Sequence, residues 1–186
     1  EGFIGVEARL DPSSYVYSPL CHLSGGFAFY AWSRGTRAGD FVLSVGGYHP
    51  DYDKPAHYPL VPRVELKYQV SPEVYLKGDA YFALTPSVMM AGGGLHAHAE
   101  IGSLVAWADF SADFWVAWEP FHYDARMHIG IGARWKCFHT TASADLHIWG
   151  PDFSGSAHVE WFVFSFDLEF GAGSPTVPMA IGVEKF

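Results

Sequence analysis

The stretch Leu104–Trp118 reads LVAWADFSADFWVAW, and its side chains fall into two sets when every second residue is taken. One set is entirely apolar and comprises Leu104, Ala106, Ala108, Phe110, Ala112, Phe114, Val116 and Trp118. The other set mixes acids with indoles and contains Val105, Trp107, Asp109, Ser111, Asp113 and Trp115. Because successive side chains on a β-strand point to opposite faces, this pattern predicts a strand with one apolar and one polar face.

The same alternation recurs along most of the chain and predicts further strands near residues 27–31, 41–45, 63–70, 74–84, 89–101, 126–135, 142–149 and 161–170. Gly102 and Ser103 form a two-residue link between two of these runs, which predicts a tight antiparallel hairpin. No segment shows a helical stripe with caps. The irregular residues 48–62 include four prolines and three tyrosines, which is typical of a long ordered loop.

These patterns predict an all-β fold, namely a large antiparallel, mostly up-and-down, amphipathic sheet of about eight to ten strands. We expect the sheet to be closed or half-closed into a barrel-like or sandwich-like shape. Such a sheet can close with its apolar face inward, fold over another layer, or close with that face outward toward lipid. The apolar face alternates small residues with phenylalanines, which is typical of a packed core and would also suit a groove for an acyl chain.

Length and composition limit the class of protein. A chain of 186 residues predicts a single β domain over residues 1–186, and a start at Glu1 rather than methionine predicts a fragment of a longer protein. The formal charge of −9, with only 11 Lys and Arg, argues against a nucleic-acid partner because polyanions are held by clustered cations. Cys21 and Cys137 exclude a disulfide-rich framework but leave one bridge open. The sequence assigns no compartment.

The polar positions of the opening stretch are candidates for ligand binding. Trp107 and Trp115 would stack on a sugar ring while Asp109 and Asp113 accept its hydroxyls, although the same residues would equally suit a solvated outer face. We add His122 and Tyr123, which follow Pro120 and would either line a pocket or bond to backbone groups at a corner.

A second candidate site lies on the preceding strand, where His96, His98 and Glu100 share one face. This spacing would suit a bound metal if another element supplied a further ligand, and no other cofactor is predicted. The alternative is exposed or hydrogen-bonded histidines in structural roles. No nucleophile elbow and no glycine-rich phosphate loop before a helix are present, so we predict no catalytic residue and favour a protein that is not an enzyme.

Five ordered blocks are distinctive: GGYHP (46–50), YPLVPR (58–63), YFALTP (81–86), PFHYDA (120–125) and WGP (149–151). In this order they resemble an uncharacterised domain-of-unknown-function family found in long bacterial and fungal proteins. The resemblance covers most of the chain, and it implies that the chain is the core of a larger protein. It implies no assigned catalytic or binding residue.

The leading hypothesis is therefore a non-catalytic β-sheet module of a larger protein or assembly. Its apolar face would pack on the rest of the parent chain or on a protein partner, or would hold a lipid or another apolar small molecule. Two alternatives stay open. One is an outer-membrane-type β-barrel with a polar lumen, and the other is a carbohydrate-binding or hydrolytic protein that uses the Trp/Asp/His face.

Overall fold

In a computed structural model the described residues, 2–171, form one antiparallel sheet of twelve strands and contain no helix. The strands are β1 Gly2–Arg9, β2 Cys21–Ser24, β3 Gly26–Arg34, β4 Phe41–Val45, β5 Val64–Ser71, β6 Val74–Leu84, β7 Val88–Ile101, β8 Leu104–Trp118, β9 Phe121–Trp135, β10 Phe138–Gly150, β11 Ser154–Trp161 and β12 Phe164–Gly171. The predicted all-β, antiparallel class is confirmed. Within this range no helix is long and apolar enough to span a membrane.

The strand order across the sheet is β1-β3-β4-β6-β7-β8-β9-β10-β11-β12, so the chain runs strictly up and down from β6 onward. β6 carries two strands on one side, because β4 pairs with its last residues, 82–84, and β5 pairs with residues 74–80. β2 then pairs with β5. The end strands β1 and β12 are not hydrogen-bonded to each other, so the sheet formed by residues 2–171 is open.

The predicted hairpin is confirmed. Ile101 lies opposite Leu104, and Gly102 has a φ of +62°, a left-handed conformation that glycine adopts without strain. Our prediction of one strand over 161–170 was wrong, because Phe162 and Val163 form a turn between β11 and β12. β11 begins with Ser154, Gly155 and Ser156, which carry no apolar alternation that would indicate a strand.

The register brings like side chains together across the sheet. One cross-strand row contains only apolar residues and glycine: Leu66, Gly78, Leu95, Phe110, Ile129, Ala144, Val159 and Phe166. We call the face with Phe110 the apolar face and the face with Asp109 the polar face. The described residues leave the apolar face uncovered, and Leu95 and Ile129 are 50% and 52% exposed.

The buried core does not lie on the apolar face. It sits on the polar face, at one end of the sheet, where the loop of residues 46–62 crosses the strands. One cluster contains Tyr81, Ala83, Val88 and Met90, packed against Tyr48, Tyr52, Trp115 and Ala117. A second contains Trp32, Val42 and Tyr58. The loop is ordered as predicted, and it supplies the second layer that the core requires.

Polar contacts hold this loop in place. The Tyr58 hydroxyl donates to Asp40 over 2.6 Å, and His57 Nε2 lies 2.7 Å from the same carboxylate. Arg126 donates to Asp51 over 2.9 Å, which joins the loop to β9. The two cysteines are free thiols, Cys21 buried and Cys137 exposed, so the bridge left open by the sequence is absent.

Two methionines on opposite faces provide a test of where the core lies. Met90 is 0% exposed under the loop, whereas Met127 is 44% exposed on the apolar face. We expect Met90→Ala to lower the free energy of unfolding by about 2–5 kcal/mol because it leaves a cavity. Met127→Ala should cost about 1 kcal/mol or less, since its side chain is only partly removed from water. Urea denaturation of both variants measures the difference, and equal costs would contradict this placement of the core.

Candidate functional site

The polar face collects most of the histidines of the chain. The register places on it His22, His96, His98, His122, His128, His139, His147 and His158. Those on β7, β9, β10 and β11 lie there because they occupy the same phase of the two-residue alternation as the acidic positions of their strands. The polar face is therefore the chemically varied surface of this sheet.

Four of these histidines pair with an aspartate on a neighbouring strand: His96 with Asp109 at 2.5 Å, His128 with Asp145 at 2.6 Å, His147 with Asp124 at 2.7 Å and His158 with Asp167 at 2.6 Å. In each pair the imidazole donates to the carboxylate. Most of these partners lie directly opposite each other, where cross-strand side chains are closest. The acids are thereby occupied by imidazoles, and the pairs tie adjacent strands together.

The predicted ligand-binding residues of β8 do share one face. Asp109 accepts from His96, and Asp113 accepts from the Tyr81 hydroxyl over 2.5 Å. Burial, reinforced by the hydrogen bond to Asp113, raises the pKa of Tyr81 far above its ordinary value, so this phenol stays a donor. The two acids thus have separate partners and do not act on a common group.

The structure separates the last two predicted residues. His122 lies on the polar face with its ring 5.7 Å from that of Trp115, edge to face. Tyr123 lies on the apolar face, opposite Val116, and its ring covers Gly150. The two residues follow each other within β9 rather than at a corner, so their side chains point to opposite faces and cannot line one pocket.

The residues of the predicted metal site share a strand face but point to different partners. His96 is engaged by Asp109, and His98 stacks on Tyr75 with ring centroids 4.9 Å apart. Between residues 2 and 171 no group of three or more His, Cys, Asp or Glu side chains is arranged to hold a metal ion. A metal ion at His96, His98 and Glu100 stays a prediction from the sequence.

A hollow of about 870 Å³ opens on the polar face between β5 and β9. Its floor contains Gly94 and Ser111, which lie opposite each other and leave space because both are small. Polar side chains from β5, β6, β7 and β8 surround this floor, among them Lys67, Lys77, Asp79, His96 and Asp109. Sequence reasoning missed the β5 and β6 contributions, although the alternating Arg63, Glu65 and Lys67 signalled a polar strand face.

Beside the hollow, Tyr75, His98 and Trp107 lie opposite one another on β6, β7 and β8. We call these three residues the aromatic row. The indole of Trp107 covers Gly132 on β9, where an added Cβ would overlap its ring. Glycine at 132 therefore lets the indole lie flat on the sheet, and His139 stacks beside it with ring centroids 6.1 Å apart.

The chain belongs to a family of unknown function, DUF6603, whose family model matches residues 1–186. This agrees with the resemblance to an uncharacterised family inferred from the sequence blocks. No curated protein and no solved structure matches the chain.

The histidine–aspartate pairs predict a pH effect at the end of the sheet. The hydrogen bond to Asp167 raises the pKa of His158 above its ordinary value of 6.5, against a smaller opposing effect of desolvation. A raised folded-state pKa means that this pair stabilises the fold at low pH, and that the stabilisation is lost as the pH rises through the raised value. NMR titration of the His158 ring measures this pKa.

We expect Asp167→Asn to return the pKa of His158 toward 6.5. Asp11→Asn is the matched control, because among residues 2–171 the hydrogen bonds of Asp11 are to Ser13 and Ser14 in its own turn. A His158 pKa that is the same in wild type and Asp167→Asn would contradict the assigned cause.

Proposed function

We propose that this chain is a non-catalytic β-sheet module of a larger protein or assembly, and that its apolar face is covered by an apolar layer of protein. The observation that supports this proposal is the absence of charge from four adjacent rows of the apolar face. One of these rows passes through Phe110. The other three begin at Val64 on β5, at Tyr68 on β5 and at Phe82 on β6. None of the four contains a charged side chain between its first strand and β12.

The size of this surface favours an interface. Eight strands and four rows span about 34 Å by about 20 Å at the usual spacings of a sheet. That area exceeds the largest apolar patch of a typical monomer, which is about 300–600 Å² and is often functional. Phe166 on β12 is 51% exposed, so the apolar surface reaches the end of the sheet.

Sheet physics favours protein as the covering layer. A sheet with one apolar face is stable when that face is buried against a second layer of strands or helices. On the apolar face, small residues such as Ala97, Ala108 and Ala112 lie between bulky ones such as Phe110 and Ile129. Side chains of a facing layer would fit into the spaces above the small residues. A single extended acyl chain would cover one row and leave the neighbouring rows in water.

The polar face supports the non-catalytic part of the proposal. Asp109, Asp145 and Asp124 are each engaged by an imidazole from a neighbouring strand, and Asp113 accepts from the Tyr81 hydroxyl across β7. A general acid and base would need to face a common substrate position, which these separate pairs do not provide.

An added charge on the apolar face tests the proposal. We expect the chain, purified without detergent, to self-associate as its concentration rises and to carry no stoichiometric lipid after organic extraction. Ile129→Lys should abolish this association while lowering the free energy of unfolding by about 1 kcal/mol or less, because Ile129 is already half exposed. Native mass spectrometry, hydrophobic-dye fluorescence and urea denaturation measure these effects.

Ser143→Lys is the matched control, since Ser143 lies opposite Gly130 on the polar face and receives the same charge. It should leave association unchanged. Stoichiometric lipid in the extract, or an equal effect of both lysines, would overturn the proposal.

A further inference from the structure

We infer that the polar face carries a carbohydrate-binding site, formed by the hollow between β5 and β9 together with the aromatic row beside it. This site is independent of the apolar face, so it goes beyond the module function proposed above. Four features of the polar face support it.

The first feature is the volume of the hollow. At about 870 Å³ it lies in the range of ligand sites in proteins, which is about 300–1,000 Å³. The small floor residues Gly94 and Ser111 let a ligand approach the sheet closely, and an oligosaccharide that continues beyond the hollow would lie along the open face.

The second feature is the balance of charge around the hollow. The Lys67 ammonium lies 3.0 Å from the Glu65 carboxylate, and Nε of Arg63 lies 3.8 Å from the Asp79 carboxylate. His96 pairs with Asp109 on the facing side. Donors and acceptors are therefore interleaved without an excess of either sign, which suits neutral hydroxyl groups that both donate and accept. A phosphate ligand would instead require clustered, unpaired cations.

The third feature is the aromatic row. Trp107 lies over Gly132, so no side chain separates the indole from the β9 backbone at that position, and the indole is partly exposed. Tyr75 and His98 are stacked at 4.9 Å with their ring planes 16° apart. Because these two rings cover each other, the indole of Trp107 is the aromatic surface offered to the C–H face of a pyranose ring.

The fourth feature is the spacing between the stacking and the polar groups. Trp107 and Asp109 are two residues apart on β8 and therefore lie about 7 Å apart on the same face. We expect a sugar ring stacked on the indole to direct hydroxyls toward Asp109, which lines the hollow, and the following ring to enter the hollow. Lys77, whose ammonium lies 4.8 Å from the centre of the Tyr75 ring, lies at the boundary between the two parts.

The experiment titrates the chain with cellohexaose, maltohexaose and chitohexaose, and follows amide shifts of the hollow, including Gly94 and Ser111, by NMR. We expect saturable binding of at least one of these probes. Trp107→Ala should weaken that binding by about tenfold or more, because it removes the stacking surface. Asp109→Asn preserves the shape of the side chain and should also weaken the binding of the sugar. The urea concentration at its unfolding midpoint should change no more than it does for an ordinary surface substitution.

Trp135→Ala is the matched control, since Trp135 is an exposed indole on the apolar face at the end of β9. Its binding curve should match that of the wild type. The inference is overturned if none of the three probes binds, if inorganic phosphate produces the shifts that the sugars do not, or if Trp135→Ala weakens binding as much as Trp107→Ala.

Discussion

The whole structure depends on the register of one sheet whose side chains alternate with a period of two. Each strand places apolar and polar residues on opposite faces, so a slip of one residue between β9 and β10 would bring Ile129 beside the acid Asp145 and His128 beside Leu146. Two-residue links at 102–103, 119–120, 136–137 and 162–163 join consecutive strands and leave little freedom to slip. The separation of the two faces follows from this register.

That separation gives each face its own chemistry. The polar face combines histidine–aspartate pairs, an open hollow and flat aromatic rings, and at one end it also holds the buried core under the loop of residues 46–62. The apolar face has no such cover among the described residues. A chain built in this way satisfies its own backbone and its polar side chains, while its largest apolar surface still requires a second layer.

Much of the site could be anticipated from the sequence, because the phase of alternation assigns each residue to a face. Trp107, Asp109, Asp113 and Trp115 do share the polar face. Tyr123 does not share that face. The block PFHYDA was expected to form a corner, but β9 already begins at Phe121, so Tyr123 lies within the strand. The contribution of Lys67 and Lys77 was missed, because alternation alone does not say which strands become neighbours.

The sequence by itself determined the all-β class, the hairpin at Gly102 and the composition of each face, since these follow from local alternation and turn chemistry. Only the tertiary structure decided that β4 and β5 share one side of β6, that the sheet of residues 2–171 stays open, and that the core lies under a loop on the polar face. Those features depend on contacts between residues far apart in the chain. The free energy of such contacts comes from burial and pairing that no local pattern encodes.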